Sequence, residues 1–109
     1  MLETREATNA VILRVPASVN TNEDELTATV QGLLTEGKKD ILLDLTDVSF
    51  ADSCGLGILV NLFKLVKKAN GSLAFYSAQP YIQKLVELTK LNRVLSIYED
   101  EQAAIASLK

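Results

Sequence analysis

The spacing of apolar and polar positions changes several times along the chain, and each change marks an element. Ala10-Val11-Ile12-Leu13-Arg14-Val15 is a short run rich in β-branched residues and predicts a strand. Leu2 to Glu6 pairs with it as a hairpin turning at Ala7-Thr8-Asn9. Leu26, Val30, Leu33 and Leu34 then fall on one helical face. Asn22 is placed to cap that helix, with Glu25 three residues later as in a capping box. Gly37 supplies a left-handed exit. Asp40-Ile41-Leu42-Leu43-Asp44-Leu45 is apolar on both faces, as a central strand of a sheet is. A long helix follows from about Ser53 to Ala69 and ends at Asn70-Gly71. Ser72 to Ser77 is the next strand. Pro80 opens a helix whose face is Ile82, Leu85 and Val86. Val94 to Ile97 predicts a short strand, and Glu99-Asp100-Glu101 starts a final helix ending at Lys109. Strands alternate with helices, so the expected fold is α/β: a mixed, mostly parallel sheet with an N-terminal β-hairpin and about four helices.

Composition narrows the function. The chain has 109 residues, enough for one domain over 1–109 and too few for two. Hydrophobic residues make up 48% and aromatics 6%, with no Trp, so the core is built of Leu, Val, Ile and Ala. A net charge of -3 without a basic block argues against direct nucleic-acid binding. One cysteine makes no internal disulfide, which points to a cytoplasmic protein. Met1 to Glu6 lacks the basic start and apolar run of a signal peptide. No apolar segment reaches membrane-spanning length, so no membrane insertion is expected.

The absence of histidine excludes more. It removes Ser-His and Cys-His dyads, an imidazole base and His metal ligands. A single Cys removes thiolate zinc sites too. No cofactor or metal is expected, and the chain reads as a non-enzyme.

The one conspicuous stretch is Ser49-Phe50-Ala51-Asp52-Ser53-Cys54-Gly55-Leu56-Gly57-Ile58. It follows a buried strand and opens a helix, where open α/β sheets carry their functional loops. Gly55-Leu56-Gly57 lacks the third glycine of a dinucleotide loop and the Gly-Lys-Ser/Thr of a triphosphate loop. Ser53 is not in a Gly-x-Ser-x-Gly elbow, and neither it nor Cys54 has an evident base. Small residues also serve any strand-to-helix loop. Cys54 fits a small semi-buried position; the sharper alternative is a low-pKa thiol at a helix N-terminus.

Helical spacing sorts the residues that follow. Ser53, Gly57, Asn61, Lys64 and Lys68 form one polar or small-residue stripe. Leu56, Leu59, Val60, Phe63 and Val66 pack on the sheet. Ile58, Leu62 and Leu65 flank the stripe. Left exposed, these apolar shoulders suit partner docking; packed under the first helix or another neighbour, they belong to the core.

The residues from Asp40 onward, and above all Phe50-x-Asp52-Ser53-x-Gly55-Leu56-Gly57 before a long apolar helix, resemble the anti-sigma factor antagonist family, the STAS domain. The resemblance is close from Asp40 to Lys109 and looser over the first 39 residues. It implies a STAS-like single domain of bacterial, cytoplasmic origin whose serine is phosphorylated by a partner kinase, usually the anti-sigma factor itself. Ser53 matches the phosphorylated residue and Asp52 the acid before it. The partner-binding surface implied is Asp52, Ser53, Cys54, Gly55, Leu56, Gly57 and Asn61. The partners implied are an anti-sigma factor/serine protein kinase and a serine phosphatase. The chain departs from the pattern in three places. Ala17-Ser18-Val19-Asn20 stands where the family often has Gly-Glu-Leu-Asp. Cys54 replaces the usual Ser, Thr or Ala, and Lys90 replaces a frequent Gly. Two rivals stay open: a non-switching scaffold or accessory subunit of a stress-signalling or lipid-transport complex, and a small enzyme or nucleotide binder.

Overall fold

The computed structural model describes residues 2–6, 10–49 and 53–107, with Ser53 through its backbone alone. The hairpin turn Ala7-Thr8-Asn9, the signature residues Phe50, Ala51 and Asp52, and Lys109 lie outside the described residues. Strand β1 (Thr4–Glu6) runs antiparallel to β2 (Val11–Arg14). Helix α1 (Glu23–Thr35) leads to β3 (Asp40–Asp44), and α2 (Ser53–Lys68) to β4 (Ser72–Tyr76). Helix α3 (Pro80–Leu88) leads to β5 (Ile97–Tyr98), and α4 (Glu101–Ala106) follows. The strands lie in sequence order, β1-β2-β3-β4-β5, parallel from β2 onward. The α/β class, the hairpin start and the mostly parallel sheet agree with the sequence pattern.

Strand order and handedness fix the layers. Parallel βαβ crossovers are right-handed as a rule, so strands added in one direction put α1, α2 and α3 on one face. The side chains follow the two-residue strand period. Val11, Leu13, Ile41, Leu43, Leu73 and Phe75 join one core cluster with Leu26, Val30, Leu56, Leu59, Leu62, Ile82 and Val86 of the helices. Ile12, Leu42, Ala74 and Tyr76 face the other way, against Ala104 of α4. Each fully buried Leu or Ile is worth about 1.5–3 kcal/mol of transfer free energy, so the thicker layer dominates stability. On the thinner side, the Tyr76 hydroxyl donates to Glu101 Oε1 at 3.3 Å, and Glu101 pairs with Arg5. Burial, with Asp44 and Glu101 nearby, pushes the Tyr76 phenol up to about 12.

Local signals hold at most helix ends. Gly37 is left-handed at φ 83°. The Gly37 N–H donates to Leu34 O at 3.0 Å and the Lys38 N–H to Leu33 O at 2.9 Å, closing α1 as a Schellman motif. After α2 the left-handed residue is Asn70 (φ 64°), and the Gly71 N–H reaches Val66 O at 2.9 Å. Pro80 sits in the first turn of α3. Asp100 caps α4, accepting from the Ala103 N–H at 2.9 Å.

Two local expectations are corrected. Asn22 is the N-cap of α1 but makes no side-chain cap hydrogen bond. A 3₁₀ turn over Asn20–Asn22 precedes the helix, and the Asn22 amide instead donates back to Ser18 O at 2.7 Å. The last strand begins later than Val94. A 3₁₀ turn over Leu91–Arg93 takes up the chain, leaving Val94 exposed and Leu95 buried.

Candidate functional site

The carboxyl ends of β2, β3 and β4 meet the start of α2, and short hydrogen bonds define the approach. The Val15 N–H donates to Asp44 O and the Leu45 N–H to Tyr76 O, both at 3.0 Å, extending the ladder past the strand ends. The Asp44 carboxylate accepts from the Thr46 N–H at 2.9 Å and its hydroxyl at 2.5 Å, which turns the chain off the sheet. The Val48 N–H closes a turn on Leu45 O at 3.0 Å, and Val48 is buried. The Ser49 N–H then donates to Ala17 O at 3.0 Å, tying this loop to the one after β2. From the β4 side, the Gln79 side chain donates to Thr46 O at 3.3 Å.

One ion pair spans the site. Arg14 donates from Nε to Asp47 Oδ2 at 2.7 Å and from Nη2 to Oδ1 at 3.1 Å, a two-pronged clasp between β2 and the β3–α2 loop. The hydrogen bond from Arg14, opposed by desolvation and aided by its charge, holds the Asp47 carboxyl below its usual range; Asp47 raises Arg14 in turn. The clasp lines a hollow of about 470 Å³ with Leu2, Glu3, Val15 and Pro16. Sequence reasoning did not pair these residues. They lie 33 positions apart, and only the strand register brings them together.

The chain then passes Phe50, Ala51 and Asp52, and Ser53 opens α2. The helix sorts the other candidates by depth. Cys54 and Asn61 are exposed, Gly57 is half-buried, and Lys64 and Lys68 are exposed farther along the same stripe. Space above Gly57 is open, since a Cβ built there meets nothing within 4 Å. Gly55 and Leu56 are buried, Leu56 completely. The Leu56 side chain therefore packs beneath the surface, in the core cluster. Of the two readings of the apolar shoulders, the buried one holds. Ile58 and Leu62 are 8% and 1% exposed, and Leu65 is half-buried. Helix α1 packs beside α2, so α2 needs an apolar arc wide enough for the sheet and a neighbouring helix. The outward surface is thus a narrow polar stripe.

Chemically this stripe offers no acid–base pair and no imidazole. Among the described residues, no cluster of three or more acidic or Cys side chains could hold a metal ion. None of the described helices is long and apolar enough to cross a membrane. What the arrangement can do is present exposed Cys54 in the first turn of α2, after a chain held at Thr46, Asp47, Val48 and Ser49.

Comparison with known proteins agrees with this architecture. The family model of the STAS domain matches residues 1–104. The chain is 35% identical over 72 residues to the anti-sigma-B factor antagonist of Bacillus subtilis, covering 66% of this chain and 66% of that protein. The first curated relatives are matched over 59% to 67% of their own length. An anti-sigma-factor antagonist (STAS) domain protein from Planctomyces limnophilus superposes with a TM-score of 0.81 at 21% identity, over 98% of this chain and 97% of that one. The Bacillus cell fate determinant SpoIIAA, in its phosphorylated form, superposes with a TM-score of 0.73 at 17% identity, over the whole of both chains. With its mixed five-stranded order and three helices on one face of the sheet, the chain belongs to the STAS domain family, among relatives that are bacterial anti-sigma factor antagonists.

Proposed function

We propose that this chain is a cytoplasmic anti-sigma factor antagonist that works as a phosphorylation-controlled protein switch. Unmodified, it docks an anti-sigma factor through the start of α2 and its outer stripe, which frees a sigma factor for transcription. Phosphorylation of Ser53 by a serine kinase, usually the same partner, releases it, and a phosphatase resets it. The observation that carries the reading is the position of Ser53 at the first turn of α2, on the face that also carries exposed Cys54 and Asn61. A protein of the same fold, SpoIIAA, is known in phosphorylated and unphosphorylated forms.

Magnitudes favour blocked docking over refolding. A phosphate adds roughly -1.5 to -2 charges. At an exposed helix N-terminus the macrodipole offsets about 0.3–1 kcal/mol of its cost, while Asp52 beside it in sequence opposes it. Both effects are small against the ~5–15 kcal/mol stability of a domain. A like-charge contact inside an interface costs several kcal/mol, more than about tenfold in affinity. The test is to incubate the protein with its kinase and ATP and map the phosphate by mass spectrometry. Phosphate on Ser53 is expected. Phosphate on Ser49, Ser72 or Ser77 with Ser53 unmodified overturns the assignment, and a protein that docks its partner without any phosphate is a scaffold. A thermal shift with nucleotides would reveal a nucleotide binder instead.

A further inference from the structure

The outer stripe of α2 does not stop at Asn61, and its charges are not evenly placed. At the N-terminal end the neighbouring first turn of α1 carries Glu23, Asp24 and Glu25, all exposed. The 3₁₀ turn before α1 packs against α2 and α1 packs beside it, and the Ser49 N–H donates to Ala17 O, so the segments leading into α1 and α2 are tied at the same end of the layer. At the other end lie Lys64, Lys67 and Lys68, all exposed. Lys39, also exposed, lies just past the exit of α2 in the fold, where its carbonyl accepts from the Ser72 N–H. Parallel helices in one layer thus give the surface an acidic pole and a basic pole.

Helix chemistry accounts for only part of the basic pole. Lys67 and Lys68 occupy the last turn, where cations complement the macrodipole. Lys67 also lies 5.9 Å from the Phe63 ring centroid. Lys64 is a full turn earlier, beyond the range of that effect. Neither Lys39, Lys64 nor Lys68 has an ion-pair partner among the described residues.

Distance puts these lysines inside one footprint with Ser53. At 1.5 Å per residue, Lys64 stands about 16 Å and Lys68 about 22 Å along the axis from Ser53. A standard interface buries about 800 Å² on each partner, a disc roughly 30 Å across. Centred near Gly57 and Asn61, such a disc takes in the stripe from Ser53 to Lys68. We infer that the partner that docks on α2 presents an acidic patch over Lys64 and Lys68 and a basic group beside Glu23 and Asp24. This rests on the docking role proposed above and adds the partner's charge pattern and orientation. A nucleic acid or an anionic membrane fits less well. Either would meet the acidic first turn of α1 along the same surface, and the chain is net negative at -3.

The experiment uses the full chain and the purified anti-sigma kinase that modifies Ser53, titrated from low salt up to about 0.15 M. The variants are Lys64→Glu/Lys68→Glu, its milder form Lys64→Gln/Lys68→Gln, and Glu23→Lys/Asp24→Lys. All the positions are exposed, so melting temperatures close to wild type are expected. Each reversal should weaken binding at least about tenfold, the Gln form less, and all three should flatten the salt dependence. Reversals that bind within twofold of wild type overturn the inference while leaving the docking role intact. Wild-type protein that does not bind the kinase at all overturns the docking role and this inference with it. Parallel titrations use a single-stranded RNA oligomer and phosphatidylserine vesicles. Binding there that the Lys64→Glu/Lys68→Glu variant loses, with kinase affinity unchanged, assigns the basic pole to a polyanion and also overturns the inference.

Discussion

Arg14 and Asp47 clasp each other with two hydrogen bonds, 2.7 and 3.1 Å long, across the end of the sheet. The clasp holds the loop at Asp47, six residues before Ser53 in the sequence. Both side chains are about half exposed, so this is a positioning contact and a weak stabiliser. Its pH dependence has a definite sign. Arg14 depresses the Asp47 carboxyl in the folded state. The stabilisation is therefore complete above the ordinary carboxylate range and disappears as pH falls through the lowered value. Urea midpoints of wild type and Asp47→Asn should differ at neutral pH and converge in acid. A gap that stays constant down to the acid transition means that the clasp does not form in solution.

Two glycines of this chain should respond oppositely to alanine. A Cβ on Gly71 would stand 2.4 Å from the Lys39 carbonyl oxygen and 2.8 Å from Val66 Cγ1. Backbone cannot yield there without moving the start of β3 away from β4. Gly71→Ala should cost about 1–3 kcal/mol or more, as overpacking does. Gly57 lies in the body of α2 with open space above it. Gly57→Ala should stabilise by about 0.5–1 kcal/mol, because it removes glycine's backbone entropy. Chemical denaturation of both variants checks the pair; equal effects would contradict the packing at Gly71.

Lys90 is held left-handed at φ 62° just after α3. The family resemblance marked this position as one often filled by Gly, and the dihedral supplies the reason. A side chain there costs roughly 1–2 kcal/mol, partly offset because Gly loses about 0.4–1 kcal/mol more entropy on folding. Lys90→Gly should raise stability by about 0.5–1 kcal/mol net. A lower denaturation midpoint would show that Lys90 makes a compensating contact.

These residues also show what the sequence made legible. Gly37, Asn70 and Pro80 act locally, through dihedrals that a sequence displays directly, and they end or begin helices where expected. Asn22 misled because capping needs an extended N-cap. Asp100 has that geometry at φ -147°, ψ 177°, whereas the turn before α1 leaves Asn22 at φ -116°, ψ 19°. The strand at Val94 slipped because apolarity there is shared between a buried 3₁₀ exit, Leu95, and the strand proper. The α2 stripe was legible from its period, but the burial of Ile58 and Leu62 was not. Periodicity gives the direction of a face, while the width of the buried arc depends on how many neighbours pack against it. The Arg14–Asp47 clasp was invisible for a related reason: it depends on tertiary register.

Charge at Ser53 should separate binding from folding. Ser53→Ala should keep partner affinity. Ser53→Asp should fold normally and lose affinity, in part if not wholly, since a carboxylate carries one charge and fewer acceptors than phosphate. Circular dichroism and a binding titration decide it. Equal affinity for the two variants counts against an electrostatic block, and unfolding of Ser53→Asp counts against an exposed position.

Asn61 tests the docking face itself. It is exposed two turns along α2, and its neighbours at helical spacing are half-buried Gly57 and exposed Lys64. Asn61→Arg adds length and charge without entering the core. Exposed substitutions away from special features change stability by less than about 0.5 kcal/mol, so the variant should melt close to wild type. Inside a packed interface the same bulk and charge should cost several times that in binding. Normal binding by Asn61→Arg would move the docking face off α2 and favour the scaffold role. A collapse in melting temperature would mean that the outer side of α2 is covered by something that packs against it.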